Sequence, residues 1–304
     1  MSDLNSENRN EFNRNSKGSE GGLIDLHIHT MESDGTDTPE ELLEKVCQAG
    51  ITTFAICDHD GITSCMKMTE LIGERKGLPR FIRGVELSCE DELGKYHILG
   101  YGYDIMRGNM VRLVQRTHEM RMHKLETRLE KLKSEYGFTF SEEDVEWLRS
   151  QNNPGKPHIG NLMVKYGYAP TRSDAIENYL NHFKEPEGHI RPEEAIQATL
   201  ADGGIPVLAH AVYGDGDQLI MGTELEERVQ RMKHFGLRGL ECYYSGYTPR
   251  MQRIMLGLAE EYDMYVTAGS DYHGANKMIA LGDTGMETGP VRDSRLEAFL
   301  ATVK

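Results

Sequence analysis

Short apolar runs alternate along the chain with segments whose apolar residues recur every three to four positions. The runs fall at 23–29, 53–58, 81–88, 97–101, 206–210, 239–243 and 265–270. Runs of that length, separated by helical patterns, predict buried strands of a parallel sheet. Seven of them predict a sheet closed into a barrel, an α/β fold. The first helix has a marked beginning: Thr38 supplies an N-cap hydroxyl, Pro39 fits the first helical position, and Glu40 and Glu41 place acids in the first turn. Leu42, Leu43 and Val46 then give it an apolar face, and Gly50 closes it.

Between 106 and 200 the strand rhythm stops. Residues 109–136 predict one long amphipathic helix, with Val111, Leu113, Val114, Met122, Leu125, Leu129 and Leu132 at its apolar positions. Shorter helices are predicted over 140–148, 158–166 and 173–180, and the strand pattern resumes at Gly204. The expected organisation is a disordered polar leader over 1–21, a barrel formed by 22–105 and 201–304, and a helical insertion over 106–200 that caps the barrel mouth. Trp147, the single tryptophan, is expected in the core of that insertion.

With 304 residues, 38% hydrophobic and 27% charged, the chain is large enough to bury a full core. A net charge of −15 repels long polyanions and argues against duplex nucleic acid as a partner. No run approaches the roughly 20 apolar residues of a membrane span. The five cysteines, Cys47, Cys57, Cys65, Cys89 and Cys242, have no CxxC spacing. They predict reduced thiols in a cytoplasm, with neither a disulfide framework nor a thiolate zinc site.

The twelve histidines carry the chemistry. His27-Ile28-His29 puts two imidazoles on one face of the first strand. Asp58-His59-Asp60 follows the second strand, Glu86 lies in the third, and His97 begins the fourth. His210 ends the fifth, and Asp271-Tyr272-His273 ends the last. In a parallel barrel the strand ends converge on one mouth. A metal cluster would satisfy all these buried imidazoles and carboxylates together. Mixed nitrogen and oxygen ligation without sulfur suits Mn²⁺, Zn²⁺ or Fe²⁺. His118 and His123 are expected on the solvated face of the long helix, His182 and His189 on the cap, and His234 away from any ligand position.

These motifs, with Ser33-Asp34-Gly35-Thr36, Gly84-Val85-Glu86-Leu87-Ser88, His97-Ile98-Leu99-Gly100, Pro157-His158-Ile159 and Leu208-Ala209-His210, resemble the polymerase and histidinol phosphatase (PHP) family of metal-dependent phosphoesterases. The likeness runs from Ile24 to about Gly282 and is greatest to the stand-alone enzymes acting on nucleotides or ribose phosphates. It implies a distorted (β/α)7 barrel holding two to three divalent metals, Mn²⁺ first among them. By the same resemblance His27, His29, Glu86 and Asp271 would hold one metal, and Glu86, His97 and His158 a second. Asp34, His59, His210 and His273 would hold the third. Asp58 is expected to orient an imidazole or an adjacent ligand.

Four positions depart from the family's wording. Cys57 and Gly61 flank Asp58-His59-Asp60 where hydroxyl residues are usual, Asn161 stands where arginine is common, and Ala211 replaces a proline. The implied reaction is hydrolysis of a phosphate ester by metal-activated water. Glu86 would bridge two metals, and His210 and Asp271 are the candidates to assist the leaving group. Lys156, Asn161, Lys184 and Arg191 are the candidate contacts to the substrate's second anionic group. A nucleoside 3′,5′-bisphosphate leads the expected substrates. A ribose cyclic phosphate and the 5′ end of a short oligonucleotide follow, then histidinol phosphate. Two other classes fit less well: C–N hydrolases usually bridge metals with a modified lysine, and non-catalytic PHP modules have lost ligands.

Overall fold

A computed structural model describes residues 22–151, 154–183, 189–214, 218–286 and 293–304. The expected leader, 1–21, and Lys184 lie outside the described residues. All seven expected strands form: β1 (Leu23–Ile28), β2 (Ile51–Ile56), β3 (Arg80–Asp91), β4 (Gly94–Tyr101), β5 (Ile205–Leu208), β6 (Gly239–Tyr244) and β7 (Tyr265–Gly269). They pair in sequence order within one sheet. Beyond β7 the chain returns to β1 through an Ile28–Tyr272 bridge and an Asp271 N–H donated to His27 O at 2.8 Å. The sheet therefore all but closes into a seven-stranded barrel. Consecutive buried residues such as Val207 and Leu208 of β5 show that both strand faces are covered.

One expectation fails. The strands are not all parallel, because β4 runs antiparallel to both β3 and β5. Only Glu92 and Leu93 separate β3 from β4, far fewer than the dozen or more residues of a parallel crossover. The chain must turn back on itself. A strand that descends from the mouth carries His97 near its beginning, so the ligand type still reaches the open end of the barrel.

Helix α1 (Pro39–Gln48) starts on the expected cap: Glu41 N–H donates to Thr38 Oγ1 at 3.1 Å, and Thr38 N–H donates to Glu41 Oε2 at 2.9 Å. After α2 (Thr63–Ile72), helix α3 (Asn109–Tyr136) is the predicted long helix. It serves two cores. Met110 and Leu113 pack into the barrel core, whereas Leu125 and Leu132 join a separate one. That second core gathers Leu148 of α4 (Glu142–Ser150), Ile159 of α5 (Lys156–Lys165), Ala175 of α6 (Arg172–Asn178) and Phe183. Helix α7 (Pro192–Ala201) packs Ala195 and Ile196 into the barrel instead. The buried residues of that second core fall between Leu125 and Phe183.

Trp147 is a correction. It is 44% exposed, because its neighbour Leu148 takes the inward face of α4 and successive helical residues point about 100° apart. Helices α8 (Thr223–His234), α9 (Pro249–Glu261) and α10 (Ser294–Thr302) complete the outer layer. Among the described residues, no helix is long and apolar enough to cross a membrane.

Candidate metal centre and active site

The site is built outward from Glu86 of β3, which is 1% exposed and faces five imidazoles. Its Oε2 lies 3.2 Å from His27 Nε2, 3.1 Å from His29 Nε2 and 3.2 Å from His59 Nδ1. Its Oε1 lies 2.8 Å from His97 Nδ1 and 3.1 Å from His210 Nε2. Asp271 Oδ1 is 3.2 Å from His29 Nε2 and 3.7 Å from His27 Nε2. On the other side of His29, Asp34 Oδ1 lies 3.2 Å from His273 Nε2, and Asp34 Oδ2 lies 3.9 Å from His59 Nε2.

These residues form three overlapping groups whose donor atoms lie within 4.8 Å of one another: His27, His29, Glu86 and Asp271; His59, Glu86 and His97; and His29, Asp34, His59 and His273. Two of the implied ligands stand elsewhere. His210 is not with Asp34, His59 and His273; it sits 3.2 Å from His97 Nδ1. β5 neighbours β4 in the sheet, so the residue that follows β5 lands beside His97, while the segments after β1, β2 and β7 supply the Asp34 group. His158 lies outside all three groups. It stands at the cap side, where its Nδ1 accepts the Gly155 N–H at 3.3 Å.

Two further buried carboxylates, Glu241 and Asp58, hold the residues of the cluster in place. Glu241 of β6, fully buried, accepts His27 Nδ1–H on Oε1 at 2.9 Å and His210 N–H on Oε2 at 2.9 Å. Asp58 accepts the Thr30 N–H and the Thr30 and Ser33 hydroxyls, each at 2.7 Å, together with Ser64 Oγ–H. It fixes the loop that carries Asp34 and contacts no imidazole. The Cys57 thiol donates to Leu26 O at 3.3 Å, so the unusual residue still supplies a donor. Asp60, His210 and Asp271 border the cluster with φ of 50°, 27° and 59°. Left-handed backbone at non-glycine residues costs energy and concentrates at functional sites.

The electrostatics show what the cluster requires. Burial disfavours charged imidazoles, yet Glu241 and Glu86 hold His27 well above the ordinary range. Burial is likewise outweighed at His29, which Asp271 and Glu86 push up to about 9. Burial also opposes ionisation of Glu86 and Asp271, but the facing rings hold both well below the usual carboxylate range. At His59 burial prevails over Glu86 and Asp34 and lowers it to about 4.

A metal fits this donor set. Once these rings give up their extra proton, Nδ1 of His27 still donates to Glu241 and its Nε2 is left as an acceptor facing Glu86; the buried Nε2 atoms of His27 and His29 have no hydrogen-bond partner. Acceptors that face acceptors at such distances are reconciled by a cation between them. His27, His29, Glu86 and Asp271 would hold one ion; Glu86 would share a second with His59 and His97.

The PHP domain model matches residues 25–235. The chain belongs to the PHP domain family. Its relatives include the 5′-3′ exoribonuclease of Haemophilus influenzae, 28% identical, with 85% of this chain and 92% of the relative covered. The phosphoribosyl 1,2-cyclic phosphate 1,2-diphosphodiesterase of Eggerthella lenta is 32% identical, with 83% and 94% covered. The 3′,5′-nucleoside bisphosphate phosphatase of Chromobacterium violaceum is 25% identical, with 89% and 92% covered. A crystal structure of a putative metal-dependent phosphoesterase from Bifidobacterium adolescentis superposes with a TM-score of 0.76 at 30% identity, covering 92% of this chain and 96% of that one. The PHP chain is a metal-dependent phosphoester hydrolase.

Two cavities with shared lining adjoin the PHP site. One of about 270 Å³ lies against Asp34, His59, His97 and His158. The other, about 920 Å³, runs between the β3–β4 hairpin and the cap. Ser88, Lys95, Arg121 and His189 line both. The larger cleft is lined from α3 by Arg121, Lys124 and Arg128, which recur at helical spacing on one face. Lys124 and Arg128 are 7% and 6% exposed. Arg121 Nε donates to Asp60 Oδ2 at 2.9 Å, and Lys124 Nζ lies 2.8 Å from His189 Nε2. Burial, with Lys124 and Arg121 nearby, lowers His189 to about 4, so the neutral ring accepts from the lysine.

Of the expected substrate contacts, Lys156 lines the cleft and donates to Asn181 Oδ1 at 2.9 Å. Arg191 lines its rim, 55% exposed and 3.2 Å from Glu92. Asn161 is exposed on α5 and lines neither cavity. His123, His182 and His234 are exposed. The residues not anticipated are Glu241, Arg121, Lys124 and Arg128. An acid inside the apolar run 239–243 and a basic i, i+3, i+7 stripe on α3 were the available signals.

Proposed function

We propose that this PHP enzyme hydrolyses a phosphate ester of a small nucleotide or ribose phosphate that carries a second phosphate, with a nucleoside 3′,5′-bisphosphate as the leading substrate. The observation that carries the reading is that the cavity against the acidic, imidazole-lined cluster shares Ser88, Lys95, Arg121 and His189 with a cleft also lined by the buried Lys124 and Arg128. One phosphoryl group meets the cluster while Arg121, Lys124 and Arg128 receive the other. The relative from Chromobacterium violaceum is named for that substrate class.

Bound by these residues, divalent ions, Mn²⁺ foremost, would supply the lowered water pKa and the charge neutralisation that phosphoryl transfer needs. The chain's own residues do the rest. Glu86 draws two donor groups together, Glu241 keeps His27 turned toward them, and Asp271 offers Oδ1. His210, partly exposed beside Glu86 and His97, is the candidate to pass a proton to the departing alkoxide. Because phosphoryl transfer depends chiefly on positioning and charge stabilisation, the cleft cations contribute by fixing the substrate's pose. The buried thiols Cys57, Cys65, Cys89 and Cys242 suit a reducing cytoplasm.

A second reading has its own support. A volume of about 920 Å³ exceeds what one nucleotide fills and admits the 5′ end of a short oligonucleotide, the substrate class named for the Haemophilus relative. Steady-state rates of the Mn²⁺-loaded protein on a nucleoside bisphosphate, a 5′-phosphorylated dinucleotide, a ribose cyclic phosphate and an aryl phosphate separate the readings. The expected order puts the bisphosphate first. Equal kcat/KM for bisphosphate and aryl phosphate would overturn the proposal.

A further inference from the structure

Asp271 presents its two oxygens to different surroundings. Oδ1 is turned to His29 and His27 inside the cluster. Oδ2 is turned away, and two donors from separate elements hold it: the Tyr244 hydroxyl of β6 at 2.9 Å and the Lys277 ammonium at 2.6 Å. Lys277 follows the short turn Gly274–Asn276, and that turn is itself anchored. Asn276 Nδ2 donates to Asp34 O at 2.7 Å and Ala275 N–H donates to Thr36 Oγ1 at 3.0 Å. Gly274 has φ +63° and lies so close to Thr36 that a Cβ would collide with it. The lysine is therefore delivered to Asp271 by a fixed piece of backbone, although its own side chain is 40% exposed.

We infer that Lys277 and Tyr244 are positioning residues that commit Asp271 to the cluster through Oδ1 alone. The inference rests on the metal-dependent hydrolysis read above. A carboxylate free to rotate can offer a cation either oxygen or both. With Oδ2 taken by an ammonium and a phenol, Asp271 can offer one, and the second oxygen cannot close over a position that substrate needs. The ammonium also withdraws charge from the carboxylate, making it a weaker donor and the ion beside it a stronger electrophile. Charge-assisted hydrogen bonds of this kind are the short and strong ones, and partners that orient metal ligands commonly matter about 10–100-fold to affinity or activity. Asp271 adopts φ 59°, a backbone state that a well-held side chain helps to sustain.

The test compares Lys277→Met, Lys277→Arg and Tyr244→Phe as purified full-length proteins, each checked by thermal melting and loaded with Co²⁺ or Mn²⁺. The Met variant should lose about 10–100-fold in kcat with KM within about threefold, and the Phe variant should show a smaller loss of the same kind. Both should shift the visible absorption of the Co²⁺-loaded protein, because Asp271 gains the freedom to bind through both oxygens. The Arg variant should keep the native spectrum and most of the rate. Tyr244→Phe reaches the same oxygen from β6, so the question stays decidable if one variant is poorly folded. Unchanged Co²⁺ spectra in both the Met and Phe variants would overturn the inference. A Lys277→Met effect confined to KM would overturn it too, by making the lysine a substrate contact. If no ester is hydrolysed at all, the functional reading fails while the spectrum still decides this one.

Discussion

Glu241 and His27 meet at 2.9 Å between Oε1 and Nδ1, with both side chains fully shielded from solvent. The same carboxylate takes the His210 N–H on its other oxygen, so one buried acid orients residues from two sides of the barrel. A carboxylate behind a ligating imidazole fixes the ring's tautomer and raises its basicity.

Replacing that acid tests the relationship directly. Glu241→Gln preserves size but removes the charge, and it should weaken binding of the tightest metal equivalent about 10–100-fold. Competition with a graded chelator reads the change. Affinity within about twofold of the parent would show that His27 needs no such support.

The bridging position should be more sensitive than any other. Glu86→Ala removes a donor from two groups and leaves five imidazoles facing one another, so metal content should fall by at least one equivalent and turnover by about a thousandfold or more. His234→Ala, on the far end of α8, should leave both within about twofold. Elemental analysis alongside steady-state rates gives the answer, and comparable losses in the two variants would refute the assignment.

Protons and metal ions should compete for the cluster. His29 is raised to about 9 in the ion-free protein, against about 6.5 when unfolded. A raised histidine contributes stability that is complete below pH ~6.5 and disappears as pH climbs toward ~9. The melting temperature of chelator-treated protein should therefore decline across that window, while metal-loaded protein holds steady. Metal binding should also tighten with rising pH and release protons. Calorimetry in buffers of different ionisation enthalpy counts those protons, and a count of zero would contradict the electrostatics described above.

The cleft predicts a substrate-dependent phenotype. Lys124→Ala and Arg128→Ala should each lower kcat/KM for a bisphosphate about 10- to 100-fold, in line with roughly 1.5–3 kcal/mol for a charge-assisted hydrogen bond to phosphate. An aryl phosphate, lacking the second anion, should lose little. Arg191→Ala, at the exposed rim and already paired with Glu92, should matter least. Equal losses on both substrates would mean that these cations hold the cap together without reading the substrate.

What the sequence determined by itself is the scaffold and its chemical character. Strand periodicity placed all seven strands, Thr38 and Glu41 marked the first helix, and acids and imidazoles at strand ends announced a metal cluster, because these signals are local or repeat with the period of the element that carries them. Which donor stands beside which was a tertiary decision. The two-residue turn at Glu92 and Leu93 reversed β4, and the adjacency of β4 and β5 drew His210 to His97 and away from Asp34, which spacing along the chain does not encode. The same holds for Arg121, Lys124 and Arg128: their stripe is written in α3, but only the packing of Leu125 and Leu132 into the cap core turns it toward the cleft. Lys277 reaches Asp271 because its turn is fastened to the Asp34 loop, a contact between segments more than two hundred residues apart.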